Sequence, residues 1–339
     1  MSVYENADYK AHEHVSFFAD EKVGLKTIIA IHSTKLGPAG GGIRFFPYQN
    51  TDAALTDVLR LSRAMSYKFA LAGLPLGGGK SVIIGDPATL KTEALLEAFG
   101  RCVHRLGGKY YCAEDIGMTP QDMVVIHRAT PYAVGLPGKS GDTSPPTGYG
   151  IYKSIKAAAD FKLSGNYTSV AILGFGNVGR NLARYLAEEG VQIYVADINQ
   201  ENVKLAVSTY GAKEVGVDDI FALEVDVLAP CALGGVLDDT SIPKIKAKIV
   251  CGGANNQLLD EKRHSKMLDD RGILFVPDYV ANAGGAISGS AEYGDRPAEE
   301  TQKLLDNIYT NCMNIFELSE KKKITTLEAA EELAQKVLA

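Results

Sequence analysis

Apolar positions along the chain follow two periods in turn, and the switches between them mark out its elements. Residues 24–33, GLKTIIAIHS, form a β-branched run that predicts a strand, and 37–47, GPAGGGIRFFP, read as a glycine-rich turn feeding another. Over 52–73 the apolar residues recur at helical spacing and the run closes on Gly73, which suits a C-cap. GLPLGGGKSVIIGDP (73–87) then predicts a glycine-lined bend carrying Lys80, followed by a strand. A helix is expected over 92–106 and a strand ending in acids over 109–117. The next helix opens on Thr119 and Pro120, in cap and first-turn positions.

The stretch 135–150, GLPGKSGDTSPPTGYG, is the sharpest break in composition and places a domain boundary. Beyond it a helix is followed by strand, glycine turn, helix and strand over 169–199. Short apolar strands follow at 226–232, 247–253 and 273–279, and two helical stretches (298–322 and 326–338) finish the chain. Strands alternating with helices predict an α/β protein with a parallel, doubly wound sheet in this half.

Composition narrows the classes. A chain of 339 residues favours two domains over one core. A formal net charge of −6 with no basic stripe argues against nucleic acid as a partner. No apolar run approaches a membrane span, and the opening residues are polar, without the apolar core of a secretion signal. The five cysteines are odd in number and form no CxxC, so neither a disulfide framework nor a structural zinc site is expected; they read as thiols of a reducing cytoplasm. His12 and His14 stand in what reads as a solvated N-terminal segment rather than a metal pair.

Two stretches carry candidate chemistry. In the first, Lys80 follows three glycines, but a phosphate loop needs different glycine spacing and a helix after the lysine, whereas SVIIGDP is a strand signal. In the second, GFGNVG (174–179) matches the dinucleotide fingerprint and has the context that makes it specific: an apolar strand before, a helix after, and Asp197 closing the next strand. Gly174, Gly176 and Gly179 permit the tight turn and close approach of a pyrophosphate, with Asn177 and Val178 between them. Asp197 would accept from ribose hydroxyls and repel a 2′-phosphate, and INQE after it supplies no arginine, which favours NAD over NADP.

Taken with Lys68 in MSYKFA, Asp115 in CAEDIG, APCALGG, GGANNQL (252–258) and PDYVANAGGAIS (277–288), the lysine and dinucleotide motifs resemble the Glu/Leu/Phe/Val dehydrogenase family over nearly the whole chain. LGPAGGGIR and the length are similar to its short branch, which includes leucine and phenylalanine dehydrogenases. The resemblance implies an N-terminal α/β substrate and oligomerisation domain (1–134, joined by the C-terminal helix at about 323–339). It implies a Rossmann NAD-binding domain (147–322), a cleft between the two, a hinge in GKSGDTSPPTG, and a homo-oligomer of two to eight chains. It implies reversible oxidative deamination of a hydrophobic L-amino acid to the 2-oxo acid and ammonia. By the same resemblance Lys80 activates water, Asp115 shuttles protons at the amino group, and Lys68 holds the substrate carboxylate. Asn255 and Asn256 lie by the carboxylate and the nicotinamide, and Thr147 and Asn282 orient the nicotinamide ring. The substrate side chain is met by Gly40, Gly41, Met65, Ala113, Ala286 and Gly289.

The bare chemistry agrees: water must attack an iminium, and a lysine drawn toward neutrality by a second lysine and by desolvation can act as base. The glycines before Lys80 are expected to serve substrate access. Where leucine dehydrogenases carry bulkier aliphatic residues, Gly40, Ala286 and Gly289 are small, which is expected to widen one pocket wall toward Phe, Tyr or Trp beside Leu, Val or Ile. Two rival readings have their own marks. A 2-hydroxy-acid oxidoreductase calls for a histidine beside an arginine, and no such arrangement is recognisable. A non-catalytic NAD-binding sensor calls for loss of Lys68, Lys80 or Asp115, and all three are present.

Overall fold

The structure is a computed structural model that describes residues 2–139, 142–293 and 296–339. Ser140 and Gly141, inside the expected hinge, lie outside the described residues. The chain divides into two compact units: Met1–Gly141 with Gly289–Arg296 and Ala334–Ala339, and Asp142–Ser288 with Pro297–Leu333.

The first unit is built on a five-stranded mixed sheet. Its elements are β1 (His14–Asp20), β2 (Leu25–Ser33), β3 (Ala39–Phe46), α1 (Thr51–Leu71), β4 (Gly77–Ile84), α2 (Pro87–Leu90), α3 (Glu93–His104), β5 (Tyr110–Glu114) and α4 (Pro120–His127). Strand order is β1-β2-β4-β3-β5, with β3 parallel to both of its neighbours and β2 antiparallel to β1 and β4. The run TIIAI reads as continuous apolar sequence because both faces of β2 are covered. Ile28 and Ala30 pack with Val82 under Ala54, Leu55, Val58 and Leu59 of α1. Ile29 and Ile31 face the opposite way, with Ile43, Phe45, Leu95, Phe99, Met123 and Ile126 from the α3 and α4 side. Capping fixes where the helices start: Asn50 accepts from the Ala53 amide, Thr92 from Leu95, and Thr119 with Asp122 closes a capping box on α4.

Two expectations fail here for one reason. GGG at 40–42 is not a turn, and GGG at 77–79 is not a bend; both runs lie inside extended strands, and Lys80 sits within β4 opposite Ala30. A Cβ on Gly77 would stand 2.0 Å from the Ser33 carbonyl oxygen, one on Gly78 2.1 Å from the Ser66 amide nitrogen, and one on Gly79 2.7 Å from the Tyr110 ring. These glycines let α1 and the neighbouring chain approach β4 closely, a packing role that the sequence expectation did not include. The N-terminal segment also departs from expectation. It includes strand β1, and His12 is buried, its Nε2 3.0 Å from both the Leu59 carbonyl and the Ser62 hydroxyl. Burial pushes the His12 pKa down to about 4, so the ring is a neutral core group.

The second unit carries α5 (Ser144–Leu163), β6 (Ser169–Leu173), α6 (Asn177–Glu188), β7 (Gln192–Ala196), α7 (Gln200–Tyr210), β8 (Lys213–Glu214), β9 (Val227–Pro230), β10 (Ile249–Val250), α8 (Glu261–Asp270), β11 (Leu274–Phe275), α9 (Asp278–Ala281), α10 (Ala283–Gly289), α11 (Ala298–Lys322) and α12 (Thr326–Leu338). Its six strands are all parallel, in the order β11-β10-β9-β6-β7-β8. That is the doubly wound order, whose direction of winding reverses between β6 and β9, the place where open sheets of this kind bind ligands beyond the carboxyl ends of their strands. The allocation of residues differs from the sequence expectation at the C-terminal end. Gly289–Arg296 falls in the first unit, and α12 contributes only its last residues there, where Gln335 donates to the Tyr67 hydroxyl at 3.2 Å.

Candidate active site

In the first unit, the parallel trio β4-β3-β5 brings Lys80 and Asp115 together. Lys80 points from the middle of β4, and Asp115 is the residue that follows β5. Lys80 Nζ lies 2.6 Å from Asp115 Oδ2, with the two side chains only 7% and 14% exposed. Between their strands runs β3, whose Gly42 pairs with Ala113; a Cβ there would stand 2.8 Å from that of Asp115 and 3.1 Å from Lys80 Nζ. Glycine at 42 is therefore what lets the ion pair form across β3.

Burial opposes ionisation of Asp115, but the Lys80 ammonium and the Arg44 guanidinium outweigh it and hold the carboxyl at about 2. Arg44 Nε is 3.4 Å from Asp115 Oδ2, and Arg44 Nη1 donates to both oxygens of Asp57 on α1, at 3.0 and 3.2 Å. The Tyr48 hydroxyl donates to Asp57 at 2.6 Å. The sequence reading passed over Arg44, Asp57 and Gly42. A signal existed for two of them: Arg44 is a single charge in a run of strand residues, and Asp57 stands among the buried positions of α1 at 54, 55, 58 and 59.

The other residues expected here are spread over the same unit. Lys68 is buried on the part of α1 whose Ser66 lies against Gly78 and whose Phe69 lies against Gly40. Gly41 touches β4, where a Cβ would meet the Gly79 carbonyl oxygen at 1.8 Å. Met65 and Ala113 are half-buried. The room expected at Gly40 is taken: a Cβ would stand 3.0 Å from the Phe69 ring. Gly289, by contrast, has nothing within 4 Å of where its Cβ would be. Ala286 is half-buried and belongs to the second unit.

In the second unit the glycine turn follows β6. Gly174 has φ +97° and a Cβ on it would meet Ala232, just beyond β9, at 2.6 Å; one on Gly179 would meet the Gly174 carbonyl oxygen at 2.3 Å. Gly176 caps α6 without a side-chain hydrogen bond, so Asn177, Val178 and the following amides open the helix toward an anion. At the end of β7, Asp197 accepts from the amides of Phe175 (2.6 Å) and Asn199 (2.7 Å) and from Asn202. Burial works against its ionisation, and these hydrogen bonds overcome it to lower its pKa. Arg180, another residue the sequence reading passed over, donates to Asn202 at 2.6 Å.

A second group forms beyond β10. Asn282 Nδ2 donates to Asn255 Oδ1 at 2.8 Å and to the Gly253 carbonyl at 3.2 Å, while its own Oδ1 is buried without a partner. A Cβ on Gly253 would meet Val178 at 2.9 Å, which ties this turn to α6. Asn256 adopts φ +53°, and buried Gln257 braces the turn by donating to the carbonyls of Gly252 and Ala254. Thr147 lies against Gly285, where a Cβ would come within 2.6 Å of its hydroxyl. Glycines that admit no Cβ, an open helix N-terminus, a carboxylate after β7 and an orphaned amide oxygen together fit a dinucleotide with its nicotinamide end toward Asn282. Among the described residues no group of three His, Cys, Asp or Glu is placed to hold a metal ion, and no helix is long and apolar enough to cross a membrane.

Comparison with known proteins agrees over the whole chain. A family model described as Glu/Leu/Phe/Val dehydrogenase, dimerisation domain, matches residues 12–132, and one described as Glutamate/Leucine/Phenylalanine/Valine dehydrogenase matches residues 194–339. Leucine dehydrogenase of Bacillus subtilis is 45% identical over 343 residues, covering 99% of this chain and 93% of that one. Phenylalanine dehydrogenase of Caldalkalibacillus thermarum is 43% identical over 350 residues, covering 100% and 94%. The crystal structure of L-tryptophan dehydrogenase from Nostoc punctiforme superposes with a TM-score of 0.85 at 42% identity, covering 99% and 98% of the two chains.

Proposed function

The chain belongs to the Glu/Leu/Phe/Val dehydrogenase family, and we propose that within it this enzyme uses NAD⁺ to deaminate an apolar L-amino acid oxidatively, releasing the 2-oxo acid and ammonia. The observation that carries the reading is the buried contact of Lys80 with Asp115, 2.6 Å apart. Family membership implies a nicotinamide cofactor. Asp197, already ionised and aimed by two backbone amides, favours a free ribose 2′-hydroxyl and hence NAD.

Bound NAD⁺ supplies the acceptor for the hydride that leaves the substrate Cα. The chain's own groups do the rest. Lys68 holds the substrate carboxylate. Asp115 takes a proton from the substrate ammonium, which frees the nitrogen lone pair to drive out the hydride. Water then adds to the resulting substrate iminium while Lys80 Nζ accepts its proton and passes it on to solvent. Asp115 returns a proton to the carbinolamine nitrogen, and as the C–N bond breaks the hydroxyl gives its proton to Lys80, so that ammonia leaves and the carbonyl forms. Asn255, held by Asn282, stands for the substrate carboxylate and, with Asn256, for the carboxamide end of the cofactor. Thr147 and Asn282 fix the nicotinamide.

The side chain accepted is apolar. Open space at Gly289 and a small residue at Ala286 suit bulky and aromatic side chains beside leucine-sized ones, while Gly40 adds no room because Phe69 fills it. The dimerisation-domain match to residues 12–132 supports a homo-oligomer. The test is NADH formation from a panel of L-amino acids, with NADP⁺ tried in parallel. Turnover confined to polar amino acids, or to NADP⁺, contradicts the reading.

A further inference from the structure

Arg44 stands at the centre of the charged group around Lys80, and none of the roles above uses it. It lies on β3, the strand between β4 and β5. Its guanidinium faces two carboxylates: Nε is 3.4 Å from Asp115 Oδ2, and Nη1 is 3.0 and 3.2 Å from the oxygens of Asp57. Its side chain is only 11% exposed. Asp57, from α1, is held on its other side by the Tyr48 hydroxyl. Two cations and two anions thus balance when Lys80, Arg44, Asp115 and Asp57 are all charged.

Lys80 cannot keep its charge through the cycle. To accept a proton from water it must first have lost one, and Asp115 then loses the cation 2.6 Å away while still buried. A buried carboxylate with no cation beside it takes up a proton or turns toward water. A guanidinium keeps its proton at any working pH. We propose that Arg44 is a positioning residue: a fixed cation that restores Asp115 to its carboxylate form between its proton transfers and keeps it aimed at Lys80, whichever protonation state the lysine is in. Asp57 and Tyr48 hold the guanidinium in place from the α1 side. This inference rests on the roles given above to Lys80 and Asp115. Other titratable groups beside them on β5 are Tyr110, a buried phenol whose hydroxyl donates to the Gly41 carbonyl, the buried thiol of Cys112, and Glu114, which directly precedes Asp115.

The test is the pH profile of kcat/KM for amino-acid oxidation in four forms of the enzyme: wild type, Arg44→Gln/Asp57→Asn, Arg44→Lys and Asp57→Asn. The double variant removes one charge of each sign, so no buried carboxylate is stranded. Its limb rising toward alkaline pH reports proton loss from the Lys80–Asp115 pair as a whole. Without the fixed cation that limb is expected to move to higher pH by about one to two pH units, with NADH binding unchanged. Arg44→Lys keeps the limb in place at reduced kcat, because the charge stays and the guanidinium's planar set of donors is lost. Asp57→Asn, which strips an anion, moves the limb to lower pH. If the double variant does not fold, the two single variants decide: a limb held in Arg44→Lys and lowered in Asp57→Asn supports the proposal, and a limb unmoved in Asp57→Asn overturns it. A lowered kcat with every limb unmoved overturns the proposal and leaves Arg44 a packing role. Failure of the underlying reading looks different, since it shows as absent oxidation in the wild type or as full activity in Lys80→Ala, before any Arg44 variant is measured.

Discussion

Replacing Asp115 by asparagine takes one charge from the middle of the ion-pair group and leaves its shape almost unchanged. The carboxyl titrates at about 2 in the folded chain against an ordinary 3.8, because Lys80 and Arg44 outweigh the cost of its burial. A folded pKa below the unfolded one adds stability at pH above 3.8 that is lost as pH falls toward 2. A depression of that size corresponds to about 2 kcal/mol at neutral pH. The substituted amide would also leave buried Lys80 without its carboxylate partner, with Asp57 alone remaining to Arg44, which adds to the loss. Native-state hydrogen exchange of the β3, β4 and β5 amides reads this first-unit stability without assuming that both units unfold together. Asp115→Asn should lower the opening free energy of those amides by about 2 kcal/mol or more at pH 7. The gap should narrow between pH 4 and pH 3, as the wild-type carboxyl begins to lose its advantage. A gap that is constant from pH 7 to pH 3 would refute the electrostatic account and assign the effect to packing.

Two further outcomes follow from close approaches. Gly78→Ala places a Cβ 2.1 Å from the Ser66 backbone, so α1 must shift; thermal unfolding should show a loss of about 1–3 kcal/mol, and the KM for the amino acid should rise more than that for the cofactor. Asp197→Ala removes the carboxylate that would meet a ribose, while Arg180 stays close by; binding titrations should show NADH affinity falling about tenfold and discrimination against NADPH shrinking.

The helical stretches and the Rossmann half were legible because their signals are local: apolar spacing, caps, and a glycine turn between strand and helix. The two GGG runs were not. Glycine is a turn former by local preference, and what makes 40–42 and 77–79 extended is the approach of Ser66, Ser33 and Tyr110 from elsewhere in the chain. Strand β1 was missed because it is an edge strand with no fully buried position, so HVSFFAD carries no continuous apolar run. His12 looks like a polar terminal residue until α1 supplies Leu59 and Ser62. Of the candidate site, Lys80 and Asp115 were named in advance by resemblance, but the partners that set their charges were not. Arg44 and Asp57 are 13 residues apart and meet only through the packing of α1 on the sheet.

The measurement that bears most directly on the whole account is NADH formation by wild type and Lys80→Ala on leucine, valine, isoleucine, phenylalanine, tyrosine, tryptophan and glutamate, with NADH binding followed in both proteins. Wild-type turnover on the apolar amino acids, its loss in Lys80→Ala, and equal NADH binding by the two are the results expected. Undiminished turnover in Lys80→Ala, or a wild type that binds NADH and oxidises none of the panel, would contradict it.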